Sequence, residues 1–164
     1  MQSKDLLLMA NQQCATLVFP MLEDLSSAPH VPATAGGNHA HWVLGHLLTS
    51  EGQFRTMMDG TPNRYESLKP LFGGGSQPDP TGASYSPYNE LLSQLKSMHE
   101  ATIAWLSGMS EADLDRQSEM IPPGFEGFFG TWRQVLLVRS MHWMNHRGQL
   151  ADCRRAAGRP PLMM

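Results

Sequence analysis

Hydrophobic residues recur every three to four positions in four long stretches of the chain, a spacing typical of amphipathic α-helices. The first stretch predicts a helix from about Ser3 to Leu25, although Pro20 predicts a kink or an early end. The second predicts a helix that Asn38 is suited to cap and that stops at Gly60, a residue type common just after a helix. Residues 26–37, which contain prolines and glycines, are predicted to form the loop between them.

The third and fourth predicted helices begin with capping signals. Ser86 is suited to cap the third helix, with Pro87 at its first position, where the missing amide hydrogen costs nothing. Thr131 and Gln134 fit a capping box at the start of the fourth. These patterns predict an all-α four-helix bundle formed by a single domain, residues 1–164.

Two loops of this predicted bundle are unusual. The connection between the second and third helices, residues 61–85, is much longer than the roughly 2–8 residues usual between antiparallel neighbours. Its prolines and its three consecutive glycines argue against regular structure there. A long crossover places the third helix parallel to the second, so we expect an up-down-down-up topology. We expect the aromatic loop, residues 121–130, to plug one end of the bundle, with covering of a site as the alternative.

Composition and charge exclude several classes of function. A net charge of −3 argues against a nucleic-acid-binding face, which is normally basic. Four arginines near the C-terminus are interpreted as complementing the last turn of a helix, namely Arg147, Arg154, Arg155 and Arg159. No apolar run approaches the roughly 18 residues that would cross a bilayer. Two distant cysteines and a short apolar start preceded by Asp5 suggest neither a disulfide framework nor a signal peptide, so we expect a reducing cytoplasm.

Three histidines are the candidate chemistry of the chain. His142 and His146 stand four positions apart in the fourth predicted helix and therefore share one face. His46 lies in an apolar part of the second predicted helix. Converging inside a bundle, these imidazoles would bind a divalent metal ion with room left for a substrate. The bare pattern is weak, because hydrogen-bonded core histidines explain it equally well.

Sequence motifs that the chain lacks argue against several other classes of metal site. Trp143 stands where zinc proteases carry the glutamate of their two-histidine motif. No glutamate is followed by a histidine three positions later, which argues against a ferritin-like carboxylate site. Cys14 and Cys153 have no neighbouring cysteine, as structural zinc sites usually require. An open, all-imidazole site remains, and imidazoles suit zinc, nickel, iron and copper alike.

Residues 42–47 (WVLGHL) and 142–150 (HWMNHRGQL) resemble the DinB/YfiT-like superfamily of metal-dependent four-helix proteins. The second stretch is the more specific, because members commonly show two histidines four apart, then a small residue and a glutamine. The resemblance implies an up-down-down-up bundle, a divalent metal ion (zinc, nickel or iron) bound by His46, His142 and His146, and a homodimer. Some relatives are transferases or isomerases that use low-molecular-weight thiols, so a thiol is a candidate cosubstrate here.

Several polar residues near these histidines have two possible roles. Relatives often carry an acid near the position of Glu51, which makes it the candidate catalytic residue, as a base or as an orienting group. On an ideal helix Glu51 points about 140° away from His46, so a solvated carboxylate is the alternative. Asn145 and Gln149 are suited either to bond imidazoles or to lie on the helix surface. His99, among polar neighbours, is expected to be exposed.

Two functions of different classes follow from these residues. The leading hypothesis is a metal-dependent transferase or hydrolase that acts on a small molecule, because a water or thiol bound to the ion would lose its proton more easily. The alternative is a non-catalytic, dimeric helical bundle whose histidines are structural or vestigial.

Overall fold

The computed structural model describes residues 2–162, and this part of the chain is all-α, with six α-helices and no strand. The outermost residues of the predicted domain, Met1, Met163 and Met164, lie outside the described residues. The four long helices are α1 (Ser3–Asp24), α2 (Ala40–Asp59), α4 (Tyr88–Gly108) and α6 (Trp132–Ala156), and α3 (Lys69–Phe72) and α5 (Glu126–Phe129) are single turns. Across residues 2–162, none of these helices combines the length and apolar character needed to cross a membrane.

The N-terminus of α2 is capped by a histidine and not, as predicted, by Asn38. The Nδ1 atom of His39 accepts a hydrogen bond from the backbone N–H of Trp42 at 3.2 Å. The proton of the neutral ring is therefore on Nε2, which donates to the carbonyl oxygen of Asp79 at 2.8 Å. At the other end, α2 stops at Gly60 as predicted, where a φ of 70° favours glycine.

The sequence predicted the capping of α6 correctly but placed the start of α4 one residue too early. The predicted capping box of α6 is present, because the N–H of Gln134 donates to the Thr131 hydroxyl at 3.4 Å and Gln134 Oε1 accepts from the N–H of Thr131 at 2.8 Å. At α4 the helix begins at Tyr88, with Pro87 as the cap residue and no side-chain cap. The predicted cap, Ser86, stands one position too early.

Each long helix packs against two of the others, since both α1 and α2 contact α4 and α6. Contacts between α1 and α6 follow the same order along both helices. Arg133 donates to the hydroxyl of Ser3 near their starts, and Arg154 pairs with Asp24 near their ends. Between α2 and α6 the order is reversed, because the indole of Trp132, at the start of α6, donates to a carbonyl at the end of α2.

The long connection between α2 and α4 is more ordered than predicted. It contains a 3-10 turn, Glu66–Leu68, followed directly by α3. The ring of Phe72 in α3 is fully buried against α2. It can approach so closely because Gly45 has no side chain, and a Cβ atom there would overlap the Phe72 ring.

His30 and His41 form a second group of histidines, and His41 attaches the connection between α2 and α4 to the start of α2. The Nε2 atom of His41 bonds the carbonyl oxygen of Ser86 at 3.0 Å, and its Nδ1 atom lies 3.0 Å from Nε2 of His30. The ring also contacts the aromatic rings of Tyr85 and Tyr88. Burial is the main cause that lowers the pKa of His41 to about 4, and the nearby His30 adds to it. At neutral pH the ring is therefore neutral and available for these hydrogen bonds.

The aromatic loop does not plug the helices with its phenylalanines as predicted. Phe125 and Phe128 expose about half of their surface, 50% and 57%, and only Phe129 packs against the core. The helix of this loop, α5, is a single turn that packs on α6. These side chains lie on the outside of the protein.

The C-terminal arginines do more than complement the end of α6. Arg154 is buried and pairs with Asp24 of α1, and Arg159 lies 2.7 Å from the same carboxylate. Two cations therefore face one carboxylate at this end of the protein. This pairing joins the end of the chain to the end of α1.

Candidate metal centre

Three imidazoles meet between α2 and α6. The Nε2 atom of His142 lies 3.1 Å from Nε2 of His46 and 3.1 Å from Nε2 of His146. All three nitrogens lie within 4.8 Å of one another. His142 and His146 come together because they are one helical turn apart, whereas His46 is brought to them by the packing of α2 on α6. The predicted convergence of these three side chains is thus present in the fold.

Two of the rings are held from behind by oxygen acceptors. The Nδ1 atom of His46 donates to the carbonyl oxygen of Phe72 at 2.6 Å, and the ring is stacked on Trp42. The Nδ1 atom of His146 donates to Oε1 of Gln149 at 3.1 Å. Because the proton of each neutral ring is on Nδ1, each Nε2 directs a lone pair toward the common centre.

The resulting arrangement calls for a positive charge at the centre. A neutral His142 could donate one proton from Nε2 to one of its two neighbours, which would leave the other contact between two lone pairs. Its Nδ1 atom is buried and has no hydrogen-bond partner among residues 2–162. A cation that accepts three lone pairs removes this conflict, so the donor set fits a divalent metal ion.

Burial keeps the three rings neutral, which is the form that binds metal. It is the main cause that lowers the pKa of His142 to about 3, with further lowering by the adjacent imidazoles of His146 and His46. Burial likewise lowers the pKa of His146 to about 4, and it lowers the pKa of His46 against the opposing effect of the Phe72 carbonyl. The site nevertheless reaches the surface, because His46 and His142 are only partly buried.

Glu51 lies behind the metal centre and not in it. Its side chain is 1% exposed, which contradicts the solvated alternative. Oε1 accepts a hydrogen bond from the indole of Trp143 at 2.7 Å, and Oε2 accepts two from Arg139 at 2.8 and 3.0 Å. Trp143 stands in α6 directly after the ligand candidate His142. The carboxylate is therefore linked to the metal centre through the helix that carries two of its imidazoles.

Arg139 extends this hydrogen-bonded group to all four long helices. It donates to Oδ1 of Asn11 in α1 and, from Nη2, to Nδ1 of His99 in α4 at 3.0 Å. His99 is only 8% exposed, so the expectation that it lies on the surface is wrong. Its polar neighbours in sequence lie on other faces of α4, which is why the local pattern was misleading.

Some residues around the centre had a signal in the sequence and others had none. Gln149 bonds an imidazole, one of its two anticipated roles, whereas Asn145 is exposed. The carbonyl of Phe72 had no signal of its own, although the glycine next to His46 was an indirect one. Arg139 stands among apolar residues at helical spacing in α6, which is a signal for a buried charge, but this spacing does not identify Glu51 as its partner.

A comparison with protein families identifies the family of this chain. No curated protein matches the sequence significantly. The family described as the DinB superfamily matches residues 12–150, which include all of α2, all of α4 and the three histidines. A match over most of the chain assigns the family, and the chain therefore belongs to the DinB superfamily.

Proposed function

We propose that this protein is an enzyme of the transferase or hydrolase type, which binds a divalent metal ion through His46, His142 and His146 and acts on a small molecule. The observation that carries the proposal is the convergence of three Nε2 atoms on one centre, two of them oriented by acceptors behind the rings. The family match supports the same interpretation.

A divalent ion held by three neutral imidazoles keeps its positive charge and supplies Lewis acidity, which lowers the pKa of a water or thiol that it binds. The protein itself keeps the imidazole rings neutral and directs their Nε2 atoms toward the ion. Phe72 and Gln149 keep the protons of His46 and His146 on Nδ1. The stacked ring of Trp42 covers one face of His46 and limits its rotation.

The metal step is tested by measuring the metal content of untagged protein for a set of His→Gln variants. We expect about one ion per chain in the native protein and a strong loss in His46→Gln, His142→Gln and His146→Gln. His41→Gln is the matched control, because His41 is also a buried histidine of α2 but lies outside the centre. Unchanged metal content in all three site variants would contradict the proposal.

The reaction needs its own test, since metal binding alone does not establish catalysis. A low-molecular-weight thiol is our proposed cosubstrate, and glutathione is a practical probe. Adding it to cobalt-substituted protein should produce a thiolate-to-metal absorption band, and should not do so in His142→Gln. A cobalt spectrum that is unchanged by glutathione and by cysteine would limit the proposal to reactions with water.

We propose that Glu51 is a positioning residue, which acts on the metal ligands through Trp143. Its two oxygens are engaged by Trp143 and Arg139, so it holds the α6 backbone between two ligands and does not itself reach the centre. Glu51→Gln can still accept the indole hydrogen bond, whereas Glu51→Leu cannot.

Metal affinity and stability together distinguish this role from simple support of the fold. Glu51→Leu and Trp143→Phe should both weaken metal binding, with less than additive effects in the double variant. Glu51→Gln should lower stability, because Arg139 loses its counter-charge, but should bind metal nearly as the native protein does. Metal affinities that follow stability alone in all these variants would refute the positioning role.

One observation favours a dimer, which the resemblance implies for the metalloenzyme and which the non-catalytic alternative also includes. Leu137, Met141 and Met144 are exposed at helical spacing on the outer side of α6. Such a stripe is typical of a surface that packs against another helix. Sedimentation equilibrium of the native protein and of Met141→Glu tests the dimer. A chelator that leaves stability unchanged would favour this alternative over the metalloenzyme.

We further propose an up-down-down-up bundle in one domain, with the α2 to α4 connection as the crossover. The parallel order of contacts between α1 and α6 and the reversed order between α2 and α6 support it. A cytoplasmic location stays a prediction, which the two free, buried cysteine thiols support.

A further inference from the structure

A groove between α1 and α4 is separate from the metal centre. It is an open depression with a volume of about 730 Å³, large enough to hold part of a small molecule. Its walls are largely apolar, with Ala15 and Phe19 on α1 and Ile103 and Ala104 on α4. None of the three metal-ligand candidates lines it.

His99 lies at the floor of this groove and has a fixed proton. A guanidinium group can only donate hydrogen bonds, so the contact with Arg139 makes Nδ1 of His99 the acceptor. Burial, with a contribution from Arg139, lowers the pKa of His99 to about 4, so the ring is neutral at neutral pH. The single ring proton must then be on Nε2, at the other edge of the imidazole.

That Nε2–H group is a hydrogen-bond donor without a partner. His99 is 8% exposed and lines the cavity, and among residues 2–162 no atom forms a hydrogen bond with its Nε2. Phe19 packs edge-on against the ring with its centroid at 5.6 Å, and the Trp143 ring lies at 5.4 Å. The buried atoms without a partner among residues 2–162 do not include this one, so the N–H opens onto the groove, where the acceptor of a ligand can replace solvent.

The charges around the groove restrict the ligand. Glu23 and Glu100 lie at its edges, and only Glu23 is paired, with Lys96 at 2.5 Å. No cationic side chain is among the residues that line the cavity. A carboxylate or phosphate would therefore meet like charge, which an uncharged ligand avoids.

We propose that this groove binds an uncharged, apolar small molecule whose carbonyl oxygen accepts a hydrogen bond from Nε2 of His99. The apolar part of the ligand packs against Phe19 and Ile103, and the carbonyl satisfies the free donor. This site is separate from the metal ion and from the reaction proposed above, because none of the three metal-ligand candidates lines it.

Three probes of similar shape test this site by NMR titration of the full-length protein, loaded with its metal. The probes are 2-acetylnaphthalene, which has the carbonyl, 2-ethylnaphthalene, which lacks it, and 2-naphthoate, which is charged. We expect 2-acetylnaphthalene to bind about tenfold more tightly than 2-ethylnaphthalene, a ratio typical of one hydrogen bond, and to shift the signals of His99 and Phe19. 2-Naphthoate should not bind. Equal affinities for the first two probes would overturn the proposal.

Variants of the groove identify the contact. In His99→Gln the amide can accept from Arg139 and donate toward the groove, so the preference for the carbonyl probe should persist. In His99→Leu it should disappear. Thr16→Trp adds bulk to an exposed position of the groove, where folding is not at risk, and should abolish binding of both probes.

Two results with Thr16→Trp would overturn the assignment. Undiminished binding would place the probes elsewhere on the protein. A native dimer that this substitution converts to a monomer, measured by sedimentation equilibrium, would show that a second copy of the chain covers the groove. Metal content, which should be unchanged in Thr16→Trp, is the control for its intact fold, and helical circular dichroism is the control for the two His99 variants.

Discussion

Replacing Arg139 by methionine is the sharpest test of how the four long helices are joined. The change leaves the carboxylate of Glu51 without its counter-charge, at a position where both side chains are 1% exposed. It also removes the hydrogen bonds that Asn11 and His99 receive. Breaking a buried ion pair by removing one partner costs about 3–5 kcal/mol, a large part of the roughly 5–15 kcal/mol that stabilises a typical domain.

The free energy of unfolding should be measured by urea denaturation followed by circular dichroism, on metal-free protein. For a protein of this size, a loss of about 3–5 kcal/mol corresponds to a fall in melting temperature of roughly 6–20 °C. The double variant Glu51→Leu/Arg139→Met should be more stable than Arg139→Met alone.

Arg133→Met is the matched control, an identical substitution in the same helix. Arg133 pairs with Glu111 and Asp115, but its side chain is 30% exposed. Exposed ion pairs contribute about 0–1 kcal/mol, so this variant should lose little stability. If Arg139→Met costs no more than Arg133→Met, the reasoning from burial is refuted.

Three further predictions concern other parts of the fold. Gly45→Ala should lower the free energy of unfolding by about 1–3 kcal/mol and weaken metal binding, because the added methyl group displaces Phe72. Gly148→Ala, which has open space around it, should change neither property; melting curves measure the stability and metal titration measures the affinity. Because the pKa of His41 is about 4 in the folded protein and near 6.5 when unfolded, stability should fall as the pH drops from about 6.5 to 4, and His41→Gln should flatten this dependence in urea midpoints. Thr131→Ala should lower the free energy of unfolding by about 1 kcal/mol in urea denaturation, and no loss would contradict the capping role.

The groove at His99 shows how a local pattern can mislead. The residues around His99 are polar, and the sequence therefore predicts an exposed side chain. Its burial comes from Phe19 of α1 and Trp143 of α6, neither of which is near it in the sequence. A helical pattern indicates which residues share a face, but not which element covers that face.

The sequence by itself determined the helical class, the approximate extents of the four long helices and the shared face of His142 and His146. These features depend on contacts within a few residues, namely helical periodicity, capping side chains and the one-turn spacing of two rings. Caps supplied by unusual residues, such as His39, lay beyond these rules.

The tertiary structure decided everything that joins distant parts of the chain. It brought His46 to the other two imidazoles, placed the carbonyl of Phe72 behind it and paired Glu51 with Arg139, 88 positions away. The physical reason is that such pairs form when whole helices pack, and the energy of that packing comes from many apolar contacts distributed over the core. No short stretch of sequence contains both partners, so only the packed helices could reveal them.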